Sequence, residues 1–436
     1  MVIKLTKRSC FYILLSILLL LLAIRYSFQV EIPILTAIVI IMAMFGNRNE
    51  IVAVAMSCIP LHNAVDFYVA IVACAGILII KNSSRSRIGF PVILVAFMIV
   101  WELLHCFAFE WTPIMLLVSL APLILIGVYL SLDLHGINYA FVVRIMAFIA
   151  AYMGVLQIAI CVFHADGNLF QIFAILGRLG SISEEDTLVG GAINPNTIGI
   201  INVLCMTGLL QIRLTDLKKK TDRVLFFVLL ILGMLTQSRT FLVCLLIMLI
   251  LVLVNQKADL RKIIRMFGSS LLVGLLMIIV MNVMFPQVLA NFIKRFQVED
   301  ITTGRGHIMS QYHKYITDNL DVMFFGIGLS DYDEKVTSIY NISIHTSHNS
   351  IQEIVVAWGI PGLLMIALLI FMMIHESTKH GGRKILLNFI PLVIILAKSM
   401  AGQMLTSGYT MLALVFAYLS LCQDFSGIKK LDEMSL

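Results

Sequence analysis

Apolar runs alternate with short polar segments along almost the whole chain. Each run is long and continuous enough to be a helix, and the runs do not show the apolar–polar alternation of membrane β-strands. Because an untilted crossing needs about 20 residues and several runs are shorter, the pattern predicts roughly 12 to 14 transmembrane helices. The runs lie near 10–24, 32–46, 51–61, 64–80, 89–106, 113–131, 138–164, 196–213, 223–238, 240–255, 265–284, 348–374, 385–402 and 406–423.

The stretch 51–80 leaves two alternatives open. Pro60, His62 and Asn63 interrupt what is otherwise one apolar segment. The stretch is either two short helices or one crossing with a re-entrant piece.

Composition supports a polytopic membrane protein. Of the 436 residues 60% are hydrophobic and 13% are charged, which is too little charge to cover a water-soluble surface. The net charge of +6 suggests nucleic acid at first, but Lys and Arg gather in short loops between apolar runs. We therefore expect membrane lipids, and no nucleic acid, around this all-α bundle.

The basic clusters predict the orientation of the chain. With two spans in 51–80, all of them fall on one side, which is then cytoplasmic, with both termini inside. The first run resembles a signal peptide, but Arg25 and Tyr26 stand where a cleavage site needs small residues, so we expect an uncleaved span. The clusters are Lys4/Lys7/Arg8, Lys81/Arg85/Arg87, Lys218/Lys219/Lys220/Arg223, Lys257/Arg261/Lys262/Arg265, Lys379/Arg383/Lys384 and Lys429/Lys430.

This orientation divides the chain into three parts. Residues 1–284 form N-terminal transmembrane helices with an outer loop near 165–195. Residues 285–347 form a large extracytoplasmic loop, and residues 348–436 form C-terminal helices with a short cytoplasmic tail. Polar side chains concentrated at one face of a membrane protein indicate where recognition or chemistry takes place.

The large outer loop contains a predicted amphipathic helix and a helix start. Apolar side chains between Ile308 and Ile316 recur on one helical face, with His313 elsewhere on the helix. The apolar turn 324–329 is short enough to bring backbone close to a ligand. Ser347 and Asn349 are good N-cap residues, which predicts that His348 lies at the outer N-terminus of the next span.

Three arginines on separate outer segments suggest an oxyanion ligand. Arg178, Arg239 and Arg305 are each ordinary interface anchors when taken alone, but together they fit a phosphate-rich ligand, which guanidinium forks bind in bidentate fashion. Ionisable residues inside the apolar runs also need partners, and they keep a transporter among the alternatives. These residues are Asp66, Glu102, His105, Arg144, Glu353 and Lys398.

The order of the motifs resembles the O-antigen ligase and Wzy-type polysaccharide polymerase family. The motifs are an outer Arg–Gly-rich loop with Asn-Pro-Asn, Ser-Arg-Thr at a helix boundary, Thr-Gly-Arg opening a long loop, Phe-Gly-Ile-Gly-Leu, and His-Asn-Ser followed by Trp-Gly-Ile-Pro-Gly. They lie between Arg178 and Gly362.

The resemblance implies a GT-C-like membrane fold and an inverting, metal-independent glycosyltransferase. Its donor would be a saccharide on undecaprenyl diphosphate, and no cofactor would be needed. His348 and Arg305 would be catalytic, His348 near the acceptor hydroxyl. The residues implied in substrate binding are Arg178, Arg239, Asn194, Asn196, His313 and Asn349.

The leading hypothesis is a polymerase of capsule or O-antigen in the bacterial cytoplasmic membrane. It would transfer a growing glycan to a lipid-linked repeat unit on the outer side, with a flippase and a chain-length regulator as candidate partners. Transfer of a finished glycan to another acceptor is one alternative. A polysaccharide or lipid-linked oligosaccharide transporter is another, although no internal repeat supports it.

Overall fold

A computed structural model describes residues 7–28, 30, 32–82, 89–108, 113–131, 136–164, 179, 194–214, 218–255, 305–329, 347–379, 386–400, 402 and 408–423, with isolated positions between 279 and 293. Within these ranges every regular element is an α-helix. In chain order they are α1 (Lys7–Phe28), α2 (Ile34–Phe45), α3 (Arg48–Leu61), α4 (Phe67–Asn82), α5 (Phe90–Ala108), α6 (Pro113–Ser131), α7 (Tyr139–His164), α8 (Pro195–Arg213), α9 (Lys220–Leu235), α10 (Arg239–Asn255), α11 (Arg305–Asp318), α12 (Leu320–Phe325), α13 (Ser350–Lys379), α14 (Leu386–Ser399) and α15 (Gly408–Leu421).

The helices confirm the all-α polytopic fold. Each predicted run corresponds to one of them except 265–284, which lies almost entirely outside the described residues. The stretch 51–80 is two helices, because α3 ends at Leu61 and α4 begins at Phe67. Five helices in the described ranges, α1, α5, α7, α8 and α13, are long and apolar enough to cross a membrane.

Large apolar side chains cover the outside of the bundle. Leu20 is 61% exposed, Phe97 64% and Phe371 62%. Exposed apolar area of this extent is unfavourable in water and ordinary against lipid. The bundle therefore has its core at the helix–helix contacts and an apolar exterior for the bilayer.

One end of the bundle carries Lys81, Arg144 and Arg223. Arg144 at the start of α7 donates two hydrogen bonds to Asp222 at the start of α9, at 2.7 and 2.9 Å. Lys81 at the end of α4 donates to the Gly46 carbonyl at 2.7 Å, so the end of α2 lies at this level too. We call this the basic end. Arg144 therefore has the carboxylate partner that its position in an apolar run required.

The opposite end gathers the residues that the motifs singled out. Ser238 Oγ, directly before α10, donates to Asn196 Oδ1 at the start of α8, at 2.7 Å. Gln352 Nε2 in α13 donates to the Met309 carbonyl in α11 at 3.0 Å. We call this the site end. Helix α11 is confirmed as amphipathic, with Ile308, Tyr312, Tyr315 and Ile316 buried.

A break in α13 fixes the end of the outer segment onto the bundle. Gly359 has φ 68°, and Pro361 lacks the N–H that would bond the Ala357 carbonyl. The carbonyls released by the break accept from elsewhere: the N–H groups of Ile327 and Gly328 donate to Val356 and Ala357 at 2.9 and 2.8 Å. The apolar turn 324–329 thus packs against the backbone of α13, and the N–H groups of Ile327 and Gly328 form hydrogen bonds there.

Buried polar side chains of α5 complete this attachment. Glu102 is fully buried and accepts from Trp358 Nε1 at 2.7 Å and from the Leu329 N–H at 3.1 Å. His105 places its ring nitrogens at 2.7 Å from the Trp101 carbonyl and 2.8 Å from the Phe325 carbonyl. The two ionisable residues of α5 therefore hold the segment after α12 against the break in α13.

Gly326→Ala is expected to destabilise the protein. Gly326 has φ 79°, and a Cβ there would lie 2.4 Å from the Ala357 carbonyl oxygen. The strain alone costs about 1–3 kcal/mol. Thermal unfolding of purified protein in detergent should show a lower Tm than wild type. Gly76→Ala is the matched control, because no atom lies within 4 Å of the place its methyl group would take and alanine favours the helix, so its Tm should not fall. Equal Tm values for the two variants would contradict the packing described.

Candidate functional site

Two arginines stand at helix starts of the site end. Arg239 is the first residue of α10 and Arg305 the first residue of α11, and both are partly buried. Burial and the nearby charge of Arg239 lower the pKa of the Arg305 guanidinium from its usual value. An arginine nevertheless keeps its charge at neutral pH. Two guanidinium groups from distant parts of the chain therefore lie close together.

His348 is held in a strained conformation directly before α13. Its φ is 58°, in the left-handed region that non-glycine residues rarely occupy. On either side, Ser347 and Asn349 form a small turn: the Asn349 N–H donates to Ser347 Oγ at 3.0 Å, and Ser347 Oγ donates to the Asn349 carbonyl at 2.9 Å. Such strain persists only where the surrounding structure imposes it, and it is concentrated at functional sites.

Asn349 caps α13, as the sequence predicted for this position. Its Oδ1 accepts from the N–H groups of Ile351 and Gln352 at 2.9 and 3.4 Å. The His348 ring is thereby fixed beside a capped helix N-terminus, whose partial positive charge favours anions.

Lys398 is the site residue that the sequence did not identify. It is 8% exposed and lies near the C-terminal end of α14, and the sequence alone indicates only an intramembrane cation that needs a carboxylate. Its charge interacts with that of buried Glu353 and also acts on His348. A lysine at the outer end of an apolar run, four residues before a glycine, is the signal that could have found it.

Burial and the neighbouring cations keep His348 neutral. Burial, Arg305 and Lys398 together lower the pKa of His348 to about 4. At neutral pH its imidazole is therefore uncharged and can accept a proton or a hydrogen bond. The described groups of this cationic cluster are Arg239, Arg305, His348 and Lys398, with Glu353 as the neighbouring carboxylate.

The other predicted residues differ in what the structure shows of them. Asn194 is exposed and caps α8, with its side chain accepting from the Asn196 N–H at 2.9 Å. Asn196 Oδ1 accepts a hydrogen bond from Ser238, the residue directly before Arg239. His313 lies on the exposed face of α11, eight residues after Arg305. Arg178 lies outside the described residues.

The described part of the chain holds no group of three or more His, Cys, Asp or Glu side chains suited to a metal ion. The acidic segment Asp331/Asp333/Glu334 falls outside it. Metal independence thus stays a prediction. What the cluster offers chemically is fixed positive charge together with one neutral imidazole.

Fold and site define a multi-pass helical membrane protein with a cluster of cationic side chains at one end. Residues 224–367 match the family described as O-Antigen ligase. This segment contains Arg239, Arg305 and His348, and it confirms the resemblance drawn from the motifs over a third of the chain. The match supports a membrane enzyme related to surface polysaccharide. No curated protein and no solved structure matches the chain.

Proposed function

We propose that this protein is a polymerase of surface polysaccharide that uses a glycan on undecaprenyl diphosphate as its donor. The observation that carries the proposal is the meeting of Arg239, Arg305 and His348, from three separate segments, at one end of a membrane bundle. A lipid-linked donor lies in the bilayer with its diphosphate at the surface. A site with fixed cations at that level, next to a neutral base, suits such a donor.

The charge of the cluster fits a diphosphate diester. Arg239, Arg305 and Lys398 bring three positive charges and Glu353 one negative charge, which leaves an excess of two. Each phosphoryl group of a diphosphate diester carries one negative charge at neutral pH. Binding the donor would therefore relieve the repulsion between the cations, and guanidinium forks match phosphoryl oxygens in shape as well as charge.

The proposed reaction is a single displacement at the anomeric carbon of the donor. The bond between this carbon and the diphosphate oxygen breaks, and the electron pair leaves with undecaprenyl diphosphate. Arg239 and Arg305 stabilise the charge that develops on this leaving group, an interaction that is stronger in the transition state than in the ground state. Attack from the opposite face inverts the anomeric configuration, without any metal or cofactor.

His348 acts on the acceptor in this scheme. The hydroxyl oxygen of the lipid-linked repeat unit forms the new bond to the anomeric carbon, and its proton passes to the neutral imidazole. In the enzyme without bound donor, the imidazole of His348 is a weak base, because its pKa is about 4. Arrival of the diphosphate offsets the charges of Arg305 and Lys398, which raises the basicity of the ring when the acceptor needs it.

The pH dependence of activity should follow this ionisation. The acid limb of kcat/KM reports the free enzyme, so we expect it near pH 4, with activity lost below that pH as His348 becomes protonated. The acid limb of kcat should lie at higher pH, because the bound diphosphate favours the imidazolium. Rates of purified protein measured across pH at low and saturating donor separate the two limbs. A kcat/KM limb at the ordinary histidine value would contradict the assignment.

We place the site on the outer side of the cytoplasmic membrane, with both termini inside. The basic end and the site end are opposite ends of the bundle, and the positive-inside bias puts the basic end in the cytoplasm. A reporter active only outside the cytoplasm, inserted between 318 and 340, should be active. The same reporter fused after Lys430 is the control and should be silent. The reverse pattern would overturn the orientation.

A ligase that moves a finished glycan to a different acceptor is the second candidate. The family description favours it, since residues 224–367 match O-Antigen ligase. A transporter is less suited, because Arg239, Arg305 and His348 lie at helix starts at one end instead of halfway along a central pathway. A flippase that supplies the donor and a regulator of chain length are the partners that a polymerase would need.

Product length distinguishes the candidates. Purified protein is incubated with one lipid-linked repeat unit, and the products are separated by size. A ladder of lengthened glycans supports the polymerase. A single transfer only when a second, non-diphosphate acceptor is added would support the ligase and overturn the polymerase. No glycosidic product with either acceptor would overturn the enzyme.

A further inference from the structure

Lys398 is built into the site end by its surroundings. Its ammonium occupies the space that a side chain at Gly402 would fill, since a Cβ there would lie 1.6 Å from Nζ. The Gly402 carbonyl accepts from Ser350 Oγ at 3.1 Å, which ties this segment to the first residue of α13. The ammonium is thereby held next to the turn that carries His348.

Glu353 attracts this lysine without cancelling the charge of the site. It is fully buried in the first turn of α13, and its charge is among those that act on Lys398. A buried lysine near one carboxylate and the charge of Arg305 is costly unless a further anion approaches. Neither α13 nor α14 needs this lysine to form, because their apolar faces pack in the bundle core.

We propose that Lys398 is a further substrate-binding residue, whose ammonium contacts the diphosphate of the lipid-linked donor. This inference rests on the proposed function and deepens it. Glu353 and Gly402 are the positioning groups: one attracts the ammonium and the other leaves room for it. Lysine is suited to this task as a compact point charge, while the arginines supply the directional forks.

Three cations from separate helices lie near the neutral His348: Arg305 and Lys398 act on its ring, and Arg239 acts on Arg305. Arg239 and Arg305 begin α10 and α11, whereas Lys398 reaches the cluster from α14, which packs against α10. A diphosphate at this cluster would meet cations from three helices. The charge of Lys398 also helps to keep the pKa of His348 low until the donor binds.

The test compares Lys398→Met and Lys398→Arg with wild type. Methionine keeps most of the length and removes the charge, while arginine restores it. The control is Lys314→Met, which removes a charge from the exposed face of α11 at the same end. Two quantities are measured on the purified full-length protein in detergent: the Kd for undecaprenyl diphosphate, and the acid limb of kcat/KM with a lipid-linked repeat unit.

Lys398→Met is expected to weaken undecaprenyl diphosphate binding roughly 10- to 100-fold, the loss that follows from removing one charge-assisted contact. It should also move the acid limb of kcat/KM from about 4 towards the ordinary histidine value, because one of the charges that lower the pKa of His348 is gone. Lys398→Arg should recover most of the binding. Lys314→Met should change neither quantity.

Wild-type binding and an unmoved acid limb in Lys398→Met would overturn the proposal while leaving the proposed function intact. Absence of binding and of product in the wild type would instead overturn the proposed function. Gly402→Ala tests the same contact independently, in case Lys398→Met fails to fold. It keeps the lysine but displaces the ammonium from its place, and we expect weaker diphosphate binding with a Tm near that of wild type. Wild-type binding in Gly402→Ala would also count against the proposal.

Discussion

Arg305→Lys is expected to lose most of the glycan-lengthening activity, on the order of 100-fold or more, the loss typical of removing one preorganised donor at a developing negative charge. The substitution keeps the positive charge and removes the planar fork. Arg305 begins α11, and its position next to Arg239 and His348 leaves little freedom for a shorter, differently shaped cation. The rate of glycan lengthening by purified protein measures the effect.

Arg223→Lys is the matched control for Arg305→Lys. Arg223 is exposed at the basic end, on the first turns of α9, so its conservative replacement should leave the rate unchanged. Full activity in Arg305→Lys would remove Arg305 from the anion site. Equal losses in both variants would point to a general effect on folding.

His348→Asn is expected to give a folded, inserted protein that cannot lengthen chains, with a loss of about 100- to 10,000-fold, the range contributed by a positioned general base. Asparagine tolerates the left-handed backbone that His348 adopts, so it separates the chemistry from the strain. His348→Ala should lose the same activity and some stability as well, because alanine at φ 58° is strained.

Membrane insertion, Tm and chain length in cells together measure these histidine variants. His375→Ala is the control, because His375 is exposed towards the other end of α13 and away from the cluster. If chain length is unaffected in His348→Asn, the acceptor role assigned to His348 is excluded.

The helices were predictable because few backbone conformations are stable in the hydrocarbon core of a bilayer. Backbone groups at membrane depth must be paired within their own segment, so an apolar run of sufficient length reads directly as a helix. The ambiguous stretch 51–80 needed the structure, since Pro60 lies within the last turn of α3 and does not end it by itself. The run 265–284 is still a prediction from the sequence.

The site was predictable where the sequence marks helix starts. Arg239, Arg305 and His348 each stand at or before a helix N-terminus, next to residues such as Ser238 and Asn349 that cap helices. Side chains at the starts of spans that run in the same direction share one end of the bundle, and the predicted outer loop that contains Arg305 lies at that end too. The predicted topology therefore places the three residues at one level.

Lys398 and the role of the turn 324–329 required three-dimensional packing. A lysine near the end of an apolar helix has many possible partners, and only the approach of α13 selects Glu353 and His348. Likewise, the glycines at 326 and 328 suggested an approach to a ligand. Their actual neighbour is the backbone of α13, because Pro361 leaves the Ala357 carbonyl without its helical partner.

The central claim is that the site end activates a lipid diphosphate for glycan transfer. The most direct test follows purified protein and a lipid-linked repeat unit while both glycosidic bonds and free undecaprenyl diphosphate are quantified over time. We expect one undecaprenyl diphosphate released for each bond formed, with both signals lost together in Arg305→Lys and His348→Asn. Glycan lengthening without release of undecaprenyl diphosphate, or undiminished in those variants, would contradict the claim.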